Sequence, residues 1–200
     1  MAGVSVYFVR HAQPDFSWQD DRTRPLTPGG ARDCARVAQA LRGIPIGRFV
    51  SSPYRRSMDT IRGAALERGM EIDLDERLRE RGKGREGNTD GLFRRRWADF
   101  AFREPGGESL GAVQERNKAA LAEILARAAQ EKTAAVAVGT HGTALSTILN
   151  LYDPSFGCDD FLRIIDYMPY IVRLDFENGA CVGKRELLIV EKTFKGGANR

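Results

Sequence analysis

Short apolar segments alternate along this chain with longer segments in which apolar residues recur at helical spacing. Residues 4–9 and 136–140 are predicted strands, and the second is apolar throughout, as is typical of a strand buried on both faces. The helix predicted from Pro28 to about Leu41 has Thr27 as its cap and Gly43 after its end. This alternation predicts a layered α/β fold.

The remaining elements follow from the same patterns. We predict a strand at 48–52, a helix from Pro53 to about Gly69, a strand at 71–74, a long helix from Ser109 to about Gln130, a helix at 142–151, and a hairpin of residues 170–176 and 180–190 around Asn178-Gly179. Residues 82–107 are predicted to form a lid-like excursion with a short helix at 93–100. The prediction is one domain over residues 1–200, frayed from about Lys195.

The composition of the chain argues against membrane, secreted and metal-binding proteins. No apolar run approaches the roughly 20 residues that a membrane span needs, and no signal-peptide pattern opens the chain, so we predict a cytoplasmic protein without a membrane partner. Cys34, Cys158 and Cys181 are few and widely spaced, which favours reduced thiols. The two histidines lie far apart and no metal-binding spacing occurs, so we predict neither a metal nor a cofactor.

A mild positive charge favours anionic ligands. The net charge is +4, and much of it lies locally at residues 77–85 and 94–96. No nucleic-acid-binding motif accompanies these segments, so a basic rim for small anionic substrates is the better interpretation. The run Arg94–Arg96 is itself most often a solvated helix face.

Both histidines follow the carboxyl end of a predicted apolar strand. His11 comes after residues 4–9 and directly after Arg10, and His141 comes after residues 136–140. Open α/β sheets bind ligands at that edge. Imidazole is largely neutral near pH 7 and can act as a nucleophile, while arginine binds phosphate oxygens in a planar fork. The pattern therefore indicates a phosphate site built around a nucleophilic histidine.

Two further segments add charged side chains at the same edge. Arg55 and Arg56 lie at the start of a helix that follows a strand, where the helix N-terminus also favours anions. Glu80 comes shortly after the third predicted strand.

Six segments carry a resemblance to a known family. RHAQ at residues 10–13 resembles the Arg-His-Gly-Glu signature of the histidine phosphatase superfamily, and five other segments match its motifs in the family's order: PLTPGG (25–30), SSPYRRSMDT (51–60), LRE with GREG (78–80 and 84–87), PGGES (105–109) and VGTHG (138–142). The second of these five aligns Arg56, rather than Arg55, with the family's phosphate-binding arginine. The resemblance implies a three-layer α/β/α sandwich with a mostly parallel central sheet, as in phosphoglycerate mutase.

The resemblance also implies the roles of the site residues. His11 would attack phosphorus and become a phosphohistidine, while Arg10, Arg56 and a protonated His141 would surround the phosphoryl oxygens. Glu80 would donate a proton to the leaving oxygen and then activate water. Gly142 would contribute to substrate binding, and so would Gln13, which stands where many members have Glu.

The function predicted from the sequence is a metal-independent phosphatase acting on small phosphorylated substrates, with phosphoproteins left open. One alternative is phosphoglycerate mutase activity, although mutases of this family are usually longer, with inserts that enclose the bisphosphate. Another alternative is a non-catalytic module that binds phosphate or phosphoproteins. A homodimer is a family-level expectation. Arg55 is interpreted as a surface residue, and Glu86 and Glu108 as structural carboxylates rather than as the acid.

Overall fold

The computed structural model describes residues 3–192, which include a six-stranded sheet with the order β3-β2-β4-β1-β5-β6. Its strands are β1 (Val4–Arg10), β2 (Ile46–Ser51), β3 (Ile72–Leu74), β4 (Ala135–Thr140), β5 (Tyr167–Glu177) and β6 (Ala180–Glu191). Strands β1 to β4 are parallel, β5 is antiparallel to β1, and β6 is antiparallel to β5. The sheet is therefore mostly parallel, with the predicted hairpin added at one side.

Helices cover both faces of this sheet. They are α1 (Pro28–Leu41), α2 (Arg55–Leu66), α3 (Asp90–Ala98), α4 (Leu110–Gln130), α5 (Gly142–Tyr152) and α6 (Cys158–Ile164), with a 3-10 turn at Glu76–Leu78. None of the helices in residues 3–192 has both the length and the apolar character needed to cross a membrane.

The period of two along the central strands divides the core into two layers. In β1, Val6 and Phe8 pack into the core under α4 and α5, whereas Tyr7 and Val9 pack into the core under α1 and α2. The predicted three-layer α/β/α sandwich is thereby confirmed.

Two predicted helices differ from the structure in their bounds. Helix α2 begins at Arg55 rather than Pro53, because Tyr54 has an extended backbone conformation and its amide donates to Ser52 Oγ at 3.2 Å. It ends at Leu66, ahead of Gly69, whose φ of +63° is left-handed. The short helix expected at 93–100 begins earlier, at Asp90, where Thr89 caps it. The tail from Lys195 lies outside the described residues.

Helix α6 is an addition to the predicted elements. It has only seven residues, too few for a helical period to stand out from the sequence. Its first turn is fixed by the Asp160 carboxylate, which accepts from the Gly157 amide at 3.0 Å.

Parallel pairing brings three strand ends to one edge of the sheet. The His11 amide donates to the Thr140 carbonyl at 3.1 Å, and the Ser52 amide donates to the Gly139 carbonyl at 3.0 Å. The residues that follow β1, β2 and β4 therefore lie next to one another.

Gly139, in the central strand β4, leaves no room for a side chain. A Cβ there would lie 2.6 Å from Ser51 Oγ and 2.9 Å from Ser57 Oγ, both of which are buried. We expect Gly139→Ala to lower the free energy of unfolding by about 1–3 kcal/mol, because a close-packed core must shift to admit a methyl group. Urea unfolding would measure this as a lower midpoint at an unchanged slope.

Gly63→Ala is the matched control. Gly63 lies inside α2, where a new Cβ would meet only Ala38 Cβ at an ordinary 3.9 Å. We expect this variant to gain up to about 1 kcal/mol from helix propensity. Equal effects of the two substitutions would contradict the packing argument.

Candidate active site

A cleft opens at the edge of the sheet where β1, β2 and β4 end. Of the seven residues assigned to the site from the sequence, five line this cleft: Arg10, His11, Arg56, Glu80 and Gly142. The structure therefore brings together side chains that lie up to about 130 positions apart in the chain.

His11 is held in one tautomer. Its Nδ1 lies 2.8 Å from the Ala12 carbonyl oxygen, and because a carbonyl only accepts, Nδ1 carries the proton. Nε2 is then left with its lone pair. Burial lowers the pKa of His11 well below its usual value, and the nearby charges of Arg56 and Arg10 lower it further. The imidazole is therefore a neutral nucleophile at neutral pH.

Arg10 is anchored by the end of helix α6. Its two terminal nitrogens donate to the carbonyls of Ile164 and Ile165, the second at 2.9 Å. Its Nε is buried and has no hydrogen-bond partner within residues 3–192. Burial lowers the pKa of Arg10 to about 10, so the guanidinium stays charged at neutral pH. One N–H group of a fixed cation thus remains without a protein acceptor at the cleft.

Gly142 lets the backbone approach Arg10 closely. A Cβ at this position would lie 3.2 Å from both Nε and a terminal nitrogen of Arg10. The glycine in the segment VGTHG is thus explained by the space that the guanidinium occupies.

Arg56 projects from the first turn of α2. Its Nη1 lies 3.3 Å from the Asp21 carboxylate and donates to the Asp21 carbonyl oxygen, while its guanidinium lies 5.0 Å from the centre of the Tyr54 ring. The side chain is 3% exposed, and this burial lowers its pKa. Asp21 thus orients the guanidinium of Arg56. Its single negative charge does not neutralise the two positive charges of Arg10 and Arg56.

His141 lies behind His11 rather than in the lining of the cleft. The two ring centres are 5.2 Å apart at an interplanar angle of 62°. His141 Nε2 lies 2.8 Å from Ser52 Oγ, and within the described chain its buried Nδ1 has no hydrogen-bond partner. Burial, followed by the charge of Arg56, lowers its pKa well below the usual value.

Glu80 is held at the cleft by two backbone amides. Its Oε1 accepts from the Arg81 amide at 2.8 Å, and its Oε2 accepts from the Thr143 amide at 3.2 Å. Thr143 belongs to the first turn of α5, whose N-terminus favours negative charge. A carboxylate is thereby fixed at the same opening as the His11 imidazole.

Gln13 lies away from the cleft lining. Its carbonyl accepts from the Thr27 amide at 3.0 Å, and its side-chain Oε1 is 3.4 Å from Thr27 Oγ1. These contacts tie Gln13 to the start of α1. Its role in substrate binding stays a prediction.

Several side chains at the site were not predicted from the sequence. Asp21, Arg24 and Lys83 line the cleft, and Ser52 is the partner of His141. Ser52 belongs to the segment SSPYRRSMDT, so the sequence indicated that it lies near the site but did not predict its contact with His141. No local pattern marks Asp21 or Arg24, which are ion-paired to each other in the loop before α1.

The solvated-face interpretation of Arg94–Arg96 is wrong for Arg96. Its side chain is buried and forms an ion pair with Glu104. Arg94 is exposed and pairs with Asp159, as expected of a solvated residue. Arg96 is turned inward because Glu104, which is fully buried, needs a charged partner.

Arg55 and Glu108 form ion pairs with other side chains of the protein and do not line the cleft. Arg55 is exposed and pairs with Asp59 within α2, as interpreted from the sequence. Glu108 accepts from Arg79, Arg116 and the Gly82 amide, which ties the excursion to α4. Within residues 3–192, no group of three or more His, Cys, Asp or Glu side chains could hold a metal ion.

Comparison with known proteins identifies the relatives of this chain. A family model described as the histidine phosphatase superfamily (branch 1) matches residues 6–185. A probable phosphoglycerate mutase GpmB of Salmonella choleraesuis is 31% identical over 166 residues, which cover 74% of this chain and 76% of the relative.

Solved structures share the fold. A mycobacterial glucosyl-3-phosphoglycerate phosphatase has a TM-score of 0.73 at 19% identity, covering 96% of this chain and 100% of that one. A phosphoglycerate mutase from Bacillus anthracis has a TM-score of 0.72 at 16% identity, covering 96% and 94% of the two chains. The match over residues 6–185 includes every side chain placed at the cleft above, and the chain belongs to branch 1 of the histidine phosphatase superfamily.

Proposed function

We propose that this protein hydrolyses small phosphomonoesters through a phosphohistidine on His11, without a metal ion. The observation that carries the proposal is the fixed tautomer of His11, with Nδ1 held by the Ala12 carbonyl and Nε2 left free beside two buried arginines. A neutral imidazole in that state can attack phosphorus directly.

The first step transfers the phosphoryl group to the enzyme. Nε2 of His11 forms a bond to phosphorus as the bond from phosphorus to the ester oxygen breaks. Arg10 and Arg56 bind the equatorial oxygens, and the unpartnered Nε of Arg10 supplies one of the N–H groups. Glu80 enters this step protonated and gives its proton to the leaving oxygen, so that a neutral alcohol departs.

The second step returns the enzyme to its starting state. Glu80, now a carboxylate, takes a proton from water as the water oxygen bonds to phosphorus and the N–P bond breaks. The electron pair of that bond returns to Nε2 of His11, and inorganic phosphate leaves. The two backbone amides support the base role of this step, because they hold both oxygens of the Glu80 carboxylate in place.

His141 is proposed to respond to the bound phosphate. In the described structure its Nδ1 has no acceptor, and burial near Arg56 keeps the ring neutral. A bound phosphate dianion favours the protonated form, and the imidazolium then stabilises the phosphoryl charge.

Phosphoglycerate mutase activity is the second candidate, favoured by the name of the curated relative. Both reactions use the same phosphohistidine chemistry. They differ in whether the phosphoryl group passes to water or to a second hydroxyl of a bound substrate. The non-catalytic module is less well supported, because His11, Arg10, Arg56 and Glu80 all line one cleft.

Location and assembly belong to the same proposal. A cytoplasmic location is supported by the three cysteines, Cys34, Cys158 and Cys181, which all carry free thiols. A homodimer stays a family-level prediction.

Loss of the nucleophile tests the proposal directly. We expect wild-type protein to hydrolyse 4-nitrophenyl phosphate in EDTA, and His11→Ala to lower kcat at least about 1,000-fold because the covalent route is lost. Arg55→Ala, an exposed neighbour of Arg56, is the control and should keep wild-type activity.

An alkaline quench should trap acid-labile, base-stable phosphate on the wild-type protein and none on His11→Ala. Full activity of His11→Ala would contradict the mechanism. Isomerisation of 3-phosphoglycerate that needs bisphosphoglycerate and releases little phosphate would decide for the mutase.

Glu80→Gln should separate the two chemical steps. A 4-nitrophenolate leaving group needs little protonation, whereas the attacking water still needs a base. We expect a burst of about one equivalent of nitrophenolate followed by turnover at least about 100-fold slower than wild type. Stopped-flow absorbance measures both phases. Glu86→Gln, an exposed carboxylate outside the cleft lining, is the matched control, and an equal defect there would overturn the assignment.

The two histidines allow a direct test of their charge. Because the pKa of each is lowered, both rings should be neutral at pH 6.5 in ligand-free protein, with titration midpoints below that pH. The chain has only two histidines, so NMR spectra of untagged protein show only their ring signals, which His141→Gln assigns.

Inorganic phosphate should raise the pKa of His141. A ligand-free midpoint at or above pH 6.5, or one for His141 that phosphate leaves unchanged, would contradict this electrostatic account.

A further inference from the structure

The cleft contains more positive charge than one phosphoryl group needs. Five cationic side chains line it, Arg10, Arg24, Arg56, Arg81 and Lys83, against two carboxylates, Asp21 and Glu80. The proposed reaction uses Arg10 and Arg56, and Arg24 is ion-paired with Asp21. Arg81 and Lys83 therefore line the cleft without a role in the proposed reaction.

Arg81 is almost completely buried, and one of its N–H groups lacks a partner. Its side chain is 4% exposed; Nη1 lies 3.2 Å from the Glu104 carboxylate and donates to the Glu108 carbonyl at 2.9 Å. Nη2 is buried and has no hydrogen-bond partner within residues 3–192. A buried charged donor without an acceptor is costly, so such a group calls for an explanation.

Glu104 does not neutralise Arg81 fully. The same carboxylate also pairs with Arg96, so two buried guanidinium groups share one negative charge. This cluster joins Arg81, which directly precedes the excursion, to Arg96 and Glu104 inside it. It therefore accounts for the contact of Arg81 Nη1 with Glu104. It explains neither the surplus positive charge nor the unpartnered Nη2.

Arg10 offers a comparison within the same cleft. It too has a buried N–H group without a partner, and the proposed reaction supplies the missing acceptor as a phosphoryl oxygen. The parallel with Arg81, which lines the same cleft beyond Glu80 in the chain, indicates a second acceptor brought in by the ligand.

We propose that Arg81, with Lys83 beside it, binds a second acidic group on the alcohol portion of the substrate, a carboxylate or a further phosphate. The inference rests on the proposed phosphatase function and narrows its substrates to phosphomonoesters whose leaving group is itself an anion. Phe16, Phe93 and Phe161 line the same cleft, so aromatic esters are suitable probes.

The experiment compares esters that differ in one charge. The charged probes are the three isomeric carboxyphenyl phosphates and the corresponding phenylene bisphosphates, which distinguish a carboxylate from a phosphate. The neutral probes are the carbamoylphenyl phosphates, which keep shape and polarity without charge. Calorimetry gives Kd in a His11→Ala background that cannot turn over, and steady-state assays of His11-containing protein give kcat/KM.

We expect at least one charged isomer to exceed its neutral counterpart about tenfold or more in both affinity and kcat/KM, because a hydrogen bond to a charged group is worth that much. Arg81→Gln should lower this ratio about tenfold and Lys83→Gln about threefold. Arg85→Gln, which removes an exposed charge outside the cleft lining, should leave it unchanged. If Arg81→Gln does not fold, the exposed Lys83 variant still reports on the site.

The outcomes separate the two proposals. Ratios near one for every isomer, or a ratio that neither Arg81→Gln nor Lys83→Gln changes, would overturn the second binding site. Absence of turnover of every ester would overturn the phosphatase proposal, while the Kd ratios would still decide for or against the site at Arg81.

Discussion

The pairing of β1 with β4 is the contact on which the whole site depends. The hydrogen bond from the His11 amide to the Thr140 carbonyl joins the two strands where they end. His11, which follows β1, therefore lies beside His141, which follows β4. The third strand end, at Ser52, reaches the same edge through the Gly139 carbonyl. One register therefore brings together a nucleophile, its neighbouring imidazole and the hydroxyl that holds that imidazole, and a slip of one residue would turn these side chains to opposite faces.

The charges at this edge work against the stability of the ligand-free protein. Arg10 and Arg56 are buried near each other, and the single carboxylate of Asp21 also pairs with Arg24. Burial lowers the pKa of both histidines, and the same surplus of positive charge lowers it further, since a protonated ring would add to the repulsion. A phosphate dianion that binds there relieves the repulsion and accepts hydrogen bonds from the unpartnered donors. The repulsion that destabilises the ligand-free protein therefore strengthens the binding of the anion.

Local signals made much of the fold predictable. Thr27 and Pro28 mark the start of α1, and the all-apolar β4 and the turn at Asn178-Gly179 place a central strand and the hairpin. The candidate site was predictable where strand ends carry His11 and His141, while Glu80 and Arg56 needed the family resemblance. Arg81, Arg96 and Glu104 could not be paired in advance, because they come from three separate segments and their burial depends on how the excursion folds back.

The placement of Arg81 links leaving-group recognition to proton transfer. Its backbone amide donates to Glu80 Oε1, while its guanidinium carries the N–H group that the protein leaves unpartnered. An acidic group bound by the side chain of Arg81 would therefore be held by the residue that directly follows the proposed acid in the chain. Glu108 also ties this loop to α4, because it accepts hydrogen bonds from both Arg79 and Arg116. Binding energy gained at Arg81 is then available to orient the ester oxygen toward Glu80, which raises kcat rather than affinity alone.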